Sequence, residues 1–116
     1  MPDIGFVNGR FSPLAEATVS IEDRGFQFGD GVYEVIPVYS RHPFRLSEHL
    51  GRLRTSLAGI RLADPHTPEE WTALVARMVE IGETEDQSVY LQVSRGPMAV
   101  RNHAFPKTVR PTVFLS

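Results

Sequence analysis

Apolar positions along this chain change period twice, from alternation to helical spacing and back. Near the N-terminus, Ile4, Phe6 and Val7 precede Asn8-Gly9, and Arg10-Phe11 follow. Asn-Gly supplies the positive φ angles of a two-residue type I′ turn, so a tight hairpin is predicted. Residues 17–21 alternate and predict a short strand. Gly25, Gly29 and Gly31 then punctuate a turn-rich stretch. Residues 32–39 are rich in β-branched and aromatic types and predict a longer strand. Its period of two puts Tyr33, Val35 and Pro37 on one face and Val32, Glu34, Ile36 and Val38 on the other. A polar connection at residues 40–42 leads to a returning strand over residues 43–46.

Helical spacing takes over at Ser47, which suits an N-cap with Glu48 at the positive end of the helix. Leu50, Leu53, Leu57 and Ile60 mark the buried face of a helix running to about Leu62. A second helix starts at Thr67-Pro68-Glu69-Glu70, where Thr67 and Glu70 have capping-box spacing and Pro68 fits the first helical position. Trp71, Leu74, Val75, Met78 and Val79 form its apolar stripe, and Gly82 is its stop. Alternation returns at Val89, Leu91 and Val93. Residues 96–111 form a loop with three prolines, and residues 112–115 a last strand. Strands, two helices and strands again predict a single α+β domain over residues 1–116, a mostly antiparallel sheet with both helices on one face.

Composition narrows the function. The chain has 116 residues, enough for one core, and 41% apolar with 22% charged residues fits a globular fold. A net charge of −2 with dispersed basic residues gives no electrostatic case for nucleic acid. No apolar run approaches the ~20 residues of a membrane span, and no signal-peptide pattern opens the chain. A cytoplasmic protein is therefore expected. With no cysteine, thiolate metal sites and disulfides are excluded. The four histidines are scattered without an i, i+4 pair, so no metal is expected. Eleven of the 12 basic residues are arginine, so chemistry that needs a lysine nucleophile has only Lys107 to draw on.

Four side chains carry candidate chemistry, each with two readings. Tyr33 heads a strand face, where its phenol either donates to a substrate carboxylate or fills a half-buried core position. Arg52 lies beside the apolar stripe of the first helix, whereas Arg54 falls on its polar side. Arg52 either snorkels or grips a phosphate through two hydrogen bonds. Arg101 and His103, two apart on the long loop, either converge on one anion or are solvated loop residues.

Three segments together resemble one family. Glu22-Asp23-Arg24-Gly25-Phe26-Gln27-Phe28-Gly29-Asp30-Gly31-Val32-Tyr33-Glu34-Val35 is similar to the opening motif of fold-type IV, pyridoxal-phosphate-dependent aminotransferases of the D-amino-acid type. Glu48-His49-Leu50-Gly51-Arg52-Leu53 resembles the helix motif that follows in those enzymes. Gln92-Val93-Ser94-Arg95-Gly96 with Arg101-Asn102-His103-Ala104-Phe105-Pro106 resembles their loop motif. The matches fall in the family's order and cover nearly the whole chain.

The resemblance implies the small N-terminal domain of such an enzyme. Arg52 would bind the phosphate of pyridoxal 5′-phosphate, and Tyr33, Arg101 and His103 would trap the substrate α-carboxylate. The Arg101 loop would reach into the neighbouring subunit of a homodimer. The reaction would pass the amino group of a D-amino acid such as D-alanine to a 2-oxo acid. The family's cofactor-bearing lysine would lie beyond Ser116, and Lys107 does not align with it. The 116 residues alone would then be inactive, with no catalytic residue of their own. Two departures stand out: residues 97–100 make the loop one residue longer than the pattern, and Pro37 replaces the basic or polar residue frequent in D-specific members. Aminodeoxychorismate lyase, of the same fold, and a non-catalytic binding or dimerisation module are the alternatives.

Overall fold

In the computed structural model, which describes residues 3–98 and 109–116, the hairpin forms as the Asn-Gly signal requires. Strands β1 (Ile4–Val7) and β2 (Arg10–Pro13) pair antiparallel in register Val7↔Arg10. Asn8 and Gly9 turn between them with φ of 48° and 92°. The expected strand at residues 17–21 is absent. Pro13 leads into a 3₁₀ turn at Leu14–Glu16, and residues 17–20 after it form no regular element.

The glycine-rich stretch contains a five-residue helix, α1 (Arg24–Phe28), that simple periodicity does not predict. Asp23 caps it by accepting from the Gly25 N–H, and Gly29 closes it. Strand β3 (Gly31–Tyr39) follows, and its return strand β4 (His42–Pro43) is shorter than predicted. Helix α2 (Leu46–Gly59) starts from Arg45, not Ser47. Arg45 sits in the left-handed region with no side-chain cap, and its guanidinium pairs with Glu48 at 3.1 Å instead. Helix α3 (Pro68–Ile81) has both halves of the predicted capping box between Thr67 and Glu70. It ends at Gly82 with extended rather than left-handed backbone.

Strands β5 (Gln87–Ser94) and β6 (Thr112–Leu115) complete a six-stranded antiparallel sheet, in the order β2-β1-β6-β5-β3-β4. One face is covered: Ile36, Val38, Val89, Leu91, Val93, Val113 and Leu115 meet Leu50, Leu53 and Leu57 of α2 and Trp71, Val75, Met78 and Val79 of α3. The α+β reading, with the two long helices on one side, holds. The other face carries Tyr33, Tyr90 and Phe114, whose rings stack in sequence at centroid distances of 5.6 and 5.5 Å. No helix among the described residues is long and apolar enough to cross a membrane.

Candidate active site

The period of β3 turns Glu34 toward the helices, between the buried aliphatic core and α2. Its side chain is 5% exposed, a costly place for a carboxylate unless its lone pairs are filled. They are. Arg52, from α2, donates Nε to Oε2 at 2.9 Å and Nη2 to Oε1 at 2.8 Å, a two-pronged grip. His49, one turn earlier on the same helix, places Nδ1 2.8 Å from Oε1. Since an ionised carboxylate only accepts, Nδ1 carries the proton. Burial raises the pKa of Glu34, but the hydrogen bonds from Arg52 and His49 outweigh it and hold the group below its ordinary value. Glu34 in turn pushes the pKa of Arg52 upward.

Arg52 thus does more than snorkel. Its side chain is 66% exposed, and no hydrogen bond among the described residues engages Nη1. The edge of the guanidinium that faces away from Glu34 offers parallel N–H donors of the kind that suit a phosphate or carboxylate. Arg54 is exposed, as its place on the helix predicts.

Tyr33, the residue before Glu34, points to the opposite face and is 62% exposed. Its ring is held against Tyr90 by stacking, so the half-buried core reading fails, and the phenol is available as a donor. Tyr90 donates its own hydroxyl to Gln92 at 2.8 Å. Tyr33 and Arg52 share no hydrogen bond or ion pair among the described residues; the link between them is Glu34, which follows Tyr33 on β3 and holds Arg52. Arg101, His103 and Lys107 lie outside the described residues.

The base of the loop that carries them is described, and it is tightly built. Asp23 is buried and accepts from Gly25 N–H at 2.8 Å, Ser94 Oγ at 2.6 Å and Thr112 Oγ1 at 2.5 Å. Ser94 and Thr112 are cross-strand partners on β5 and β6. Alongside, Asp30 accepts from Arg24 Nε at 2.7 Å and Arg95 Nε at 2.8 Å. Burial works against its charge, but the two arginines prevail and lower its pKa. Arg95 also reaches the Ile60 carbonyl at the end of the first long helix. Gly96, at the exit of β5, has φ of 95°, and a Cβ there would run into the Arg110 carbonyl oxygen. The two ends of the loop are therefore pinned together.

Periodicity alone does not single out Glu34, His49, Asp23 or Asp30. One signal was available for the first pair: an acid on an otherwise apolar strand face, and a His/Arg pair spaced i, i+3 on the following helix. No local signal links Asp23 to residues 71 and 89 positions away.

Comparison with known proteins places this chain in a family. Residues 31–116 match the amino-transferase class IV family, and the chain belongs to that family. It is 46% identical over 100 residues to a D-alanine aminotransferase of Listeria monocytogenes, a match that covers 86% of this chain and 35% of the relative. Among solved structures it is similar to 4-amino-4-deoxychorismate lyase from Pseudomonas aeruginosa, with a TM-score of 0.77 and 30% identity over 97% of this chain and 38% of that one. It is also similar to a T.th. branched-chain amino acid aminotransferase complexed with N-(5′-phosphopyridoxyl)-L-glutamate, with a TM-score of 0.85 and 25% identity over 98% of this chain and 39% of that one. The chain spans little more than a third of the length of the curated relatives it matches.

Proposed function

We propose that residues 1–116 are the N-terminal small domain of a pyridoxal-phosphate-dependent aminotransferase that moves the amino group of a D-amino acid, such as D-alanine, to a 2-oxo acid in the cytoplasm. The observation that carries this reading is the exposed edge of Arg52, fixed from behind by the buried Glu34. An anion site needs donors that are charged and oriented but not already consumed, and Arg52 meets all three conditions. The residues present therefore fit the cofactor's phosphate. Bound there, pyridoxal phosphate would supply the electron sink that the protein's own side chains lack.

The rest of the chain's contribution is binding and orientation. Tyr33 donates its phenol O–H to the substrate carboxylate, held in place by its stack on Tyr90. Arg101 and His103 complete that carboxylate trap from a loop whose ends are clamped by Asp23 and Gly96, acting across the interface of a homodimer. An amino acid gripped by its carboxylate presents one face of its α-carbon to the cofactor, and that is the origin of stereochemical choice.

The test is made on the full-length protein. Reconstituted with pyridoxal phosphate, it should release pyruvate from D-alanine only when a 2-oxo acid acceptor is supplied, and Tyr33→Phe should raise KM for the amino acid roughly tenfold, the worth of one hydrogen bond to a charged group. Pyruvate formed from aminodeoxychorismate without an acceptor would instead favour the lyase, which the 30% identity to the Pseudomonas aeruginosa enzyme keeps as the second reading. Failure of both reactions, with no cofactor bound, would favour a non-catalytic module.

A further inference from the structure

Glu34 is anomalous on its own strand. The inward residues that follow it, Ile36 and Val38, are fully buried aliphatics and Val32 before it is partly buried, and a carboxylate among them gives up most of its hydration. Stability does not account for it. Replacing a buried ion pair with well-packed apolar groups is often neutral or stabilising, and an ion pair whose arginine is mostly in water contributes little. What the arrangement does achieve is orientation. A long arginine side chain exposed to this degree samples many rotamers unless something holds it. Glu34 takes Nε and one hydrogen of Nη2, which fixes both the plane of the guanidinium and the edge it turns outward. His49 holds Oε1 from the side at 2.8 Å, so the carboxylate itself cannot swing. The three residues form a rigid bracket with one unused edge.

We propose that Glu34 and His49 are positioning residues, which act through Arg52 to aim its free edge at the cofactor's phosphate. This rests on the reading of Arg52 given above. The bracket acts on the phosphate specifically, so its loss should be felt by pyridoxal phosphate and not by pyridoxal, which lacks that group.

The experiment measures dissociation constants of pyridoxal phosphate and pyridoxal, with the ³¹P resonance of the bound phosphate, in the full-length protein and in Arg52→Ala, Glu34→Gln, His49→Gln and the Glu34→Gln/Arg52→Ala double variant. Glu34→Gln should reduce the preference for the phosphorylated form by about tenfold, the low end of what removing an outer partner costs a bound group, and shift the ³¹P resonance. His49→Gln, whose amide can still donate to Glu34, should fall between it and the natural protein. On an Arg52→Ala background, Glu34→Gln should add nothing further. If Arg52→Ala loses the phosphate preference while Glu34→Gln and His49→Gln keep it, the bracket is overturned and the role of Arg52 survives. If Arg52→Ala itself keeps the preference, the reading of Arg52 falls and the bracket with it. Should Glu34→Gln fail to fold, an unchanged preference and ³¹P resonance in His49→Gln would overturn the proposal, and a partial loss would support it.

Discussion

Two buried carboxylates, Glu34 and Asp30, are each surrounded by cationic side chains, but their partners differ in exposure. Arg52 leads from Glu34 to solvent, whereas Arg24 and Arg95 are themselves buried around Asp30. On the proposed reading the first pair is a mount for a working group; the second is a structural knot. Both acids have folded pKa values below their ordinary ones, 4.5 for Glu34 and 3.8 for Asp30. The folded state therefore binds fewer protons than the unfolded one in this range. Their contribution is fully present above the ordinary values and is lost as pH falls through the lowered ones. Urea midpoints should accordingly drop between about pH 5 and pH 3, and Asp30→Ala should flatten that limb. At neutral pH the same substitution should cost about 3 kcal/mol, because two buried guanidinium groups lose the carboxylate they share. At this scale the sequence is partly legible. The place of Arg52 beside the apolar stripe can be counted off the helix, but its partner lies 18 residues back, and spacing carries no information about a contact between elements.

Elements with a local chemical signal are legible in the sequence, and those shaped by tertiary contacts are not. The Asn8-Gly9 turn and the Thr67–Glu70 box are decided by residues within one turn of each other. Thr67→Ala should lower stability by about 1 kcal/mol, measured by denaturant titration, since one N–H at the start of α3 loses its acceptor. The ends of helix α2 differ from the predicted ones by a residue or more, for a clear reason. It enters through Arg45 and leaves through Arg61, both in the left-handed region where glycine or asparagine is the usual sign. At the exit, the Leu62 N–H reaches back to the Leu57 carbonyl and the Arg61 N–H to that of Ala58, a Schellman pattern without its glycine. Leu62 is buried, so packing selects the turn. Likewise α1 is too short to show a helical period and stands on the Asp23 cap and its neighbours.

Over the whole molecule, the two faces of the sheet divide the labour. Helices and aliphatic side chains on one face supply stability, while the other face presents the aromatic row of Tyr33, Tyr90 and Phe114. Leu53 is completely buried against the sheet, so Leu53→Ala should cost roughly 3 kcal/mol in denaturant titration, whereas Tyr33→Phe should leave the midpoint nearly unchanged. The α+β class and the side on which the helices lie follow from the change of period along the chain. Strand order does not, because hydrophobic pattern says which face of a strand is covered and not which strand stands beside it.

That order has a consequence for how these strands come together. Of the six, the two of the β1–β2 hairpin leave the ribosome first, yet their other neighbour in the sheet is β6, through Phe6↔Leu115 and Val7↔Phe114. A lone two-stranded hairpin is marginal in water. The hairpin must therefore wait about a hundred residues for the strand that anchors it, and its docking is set to be a late event of folding, governed by the closure of a long loop.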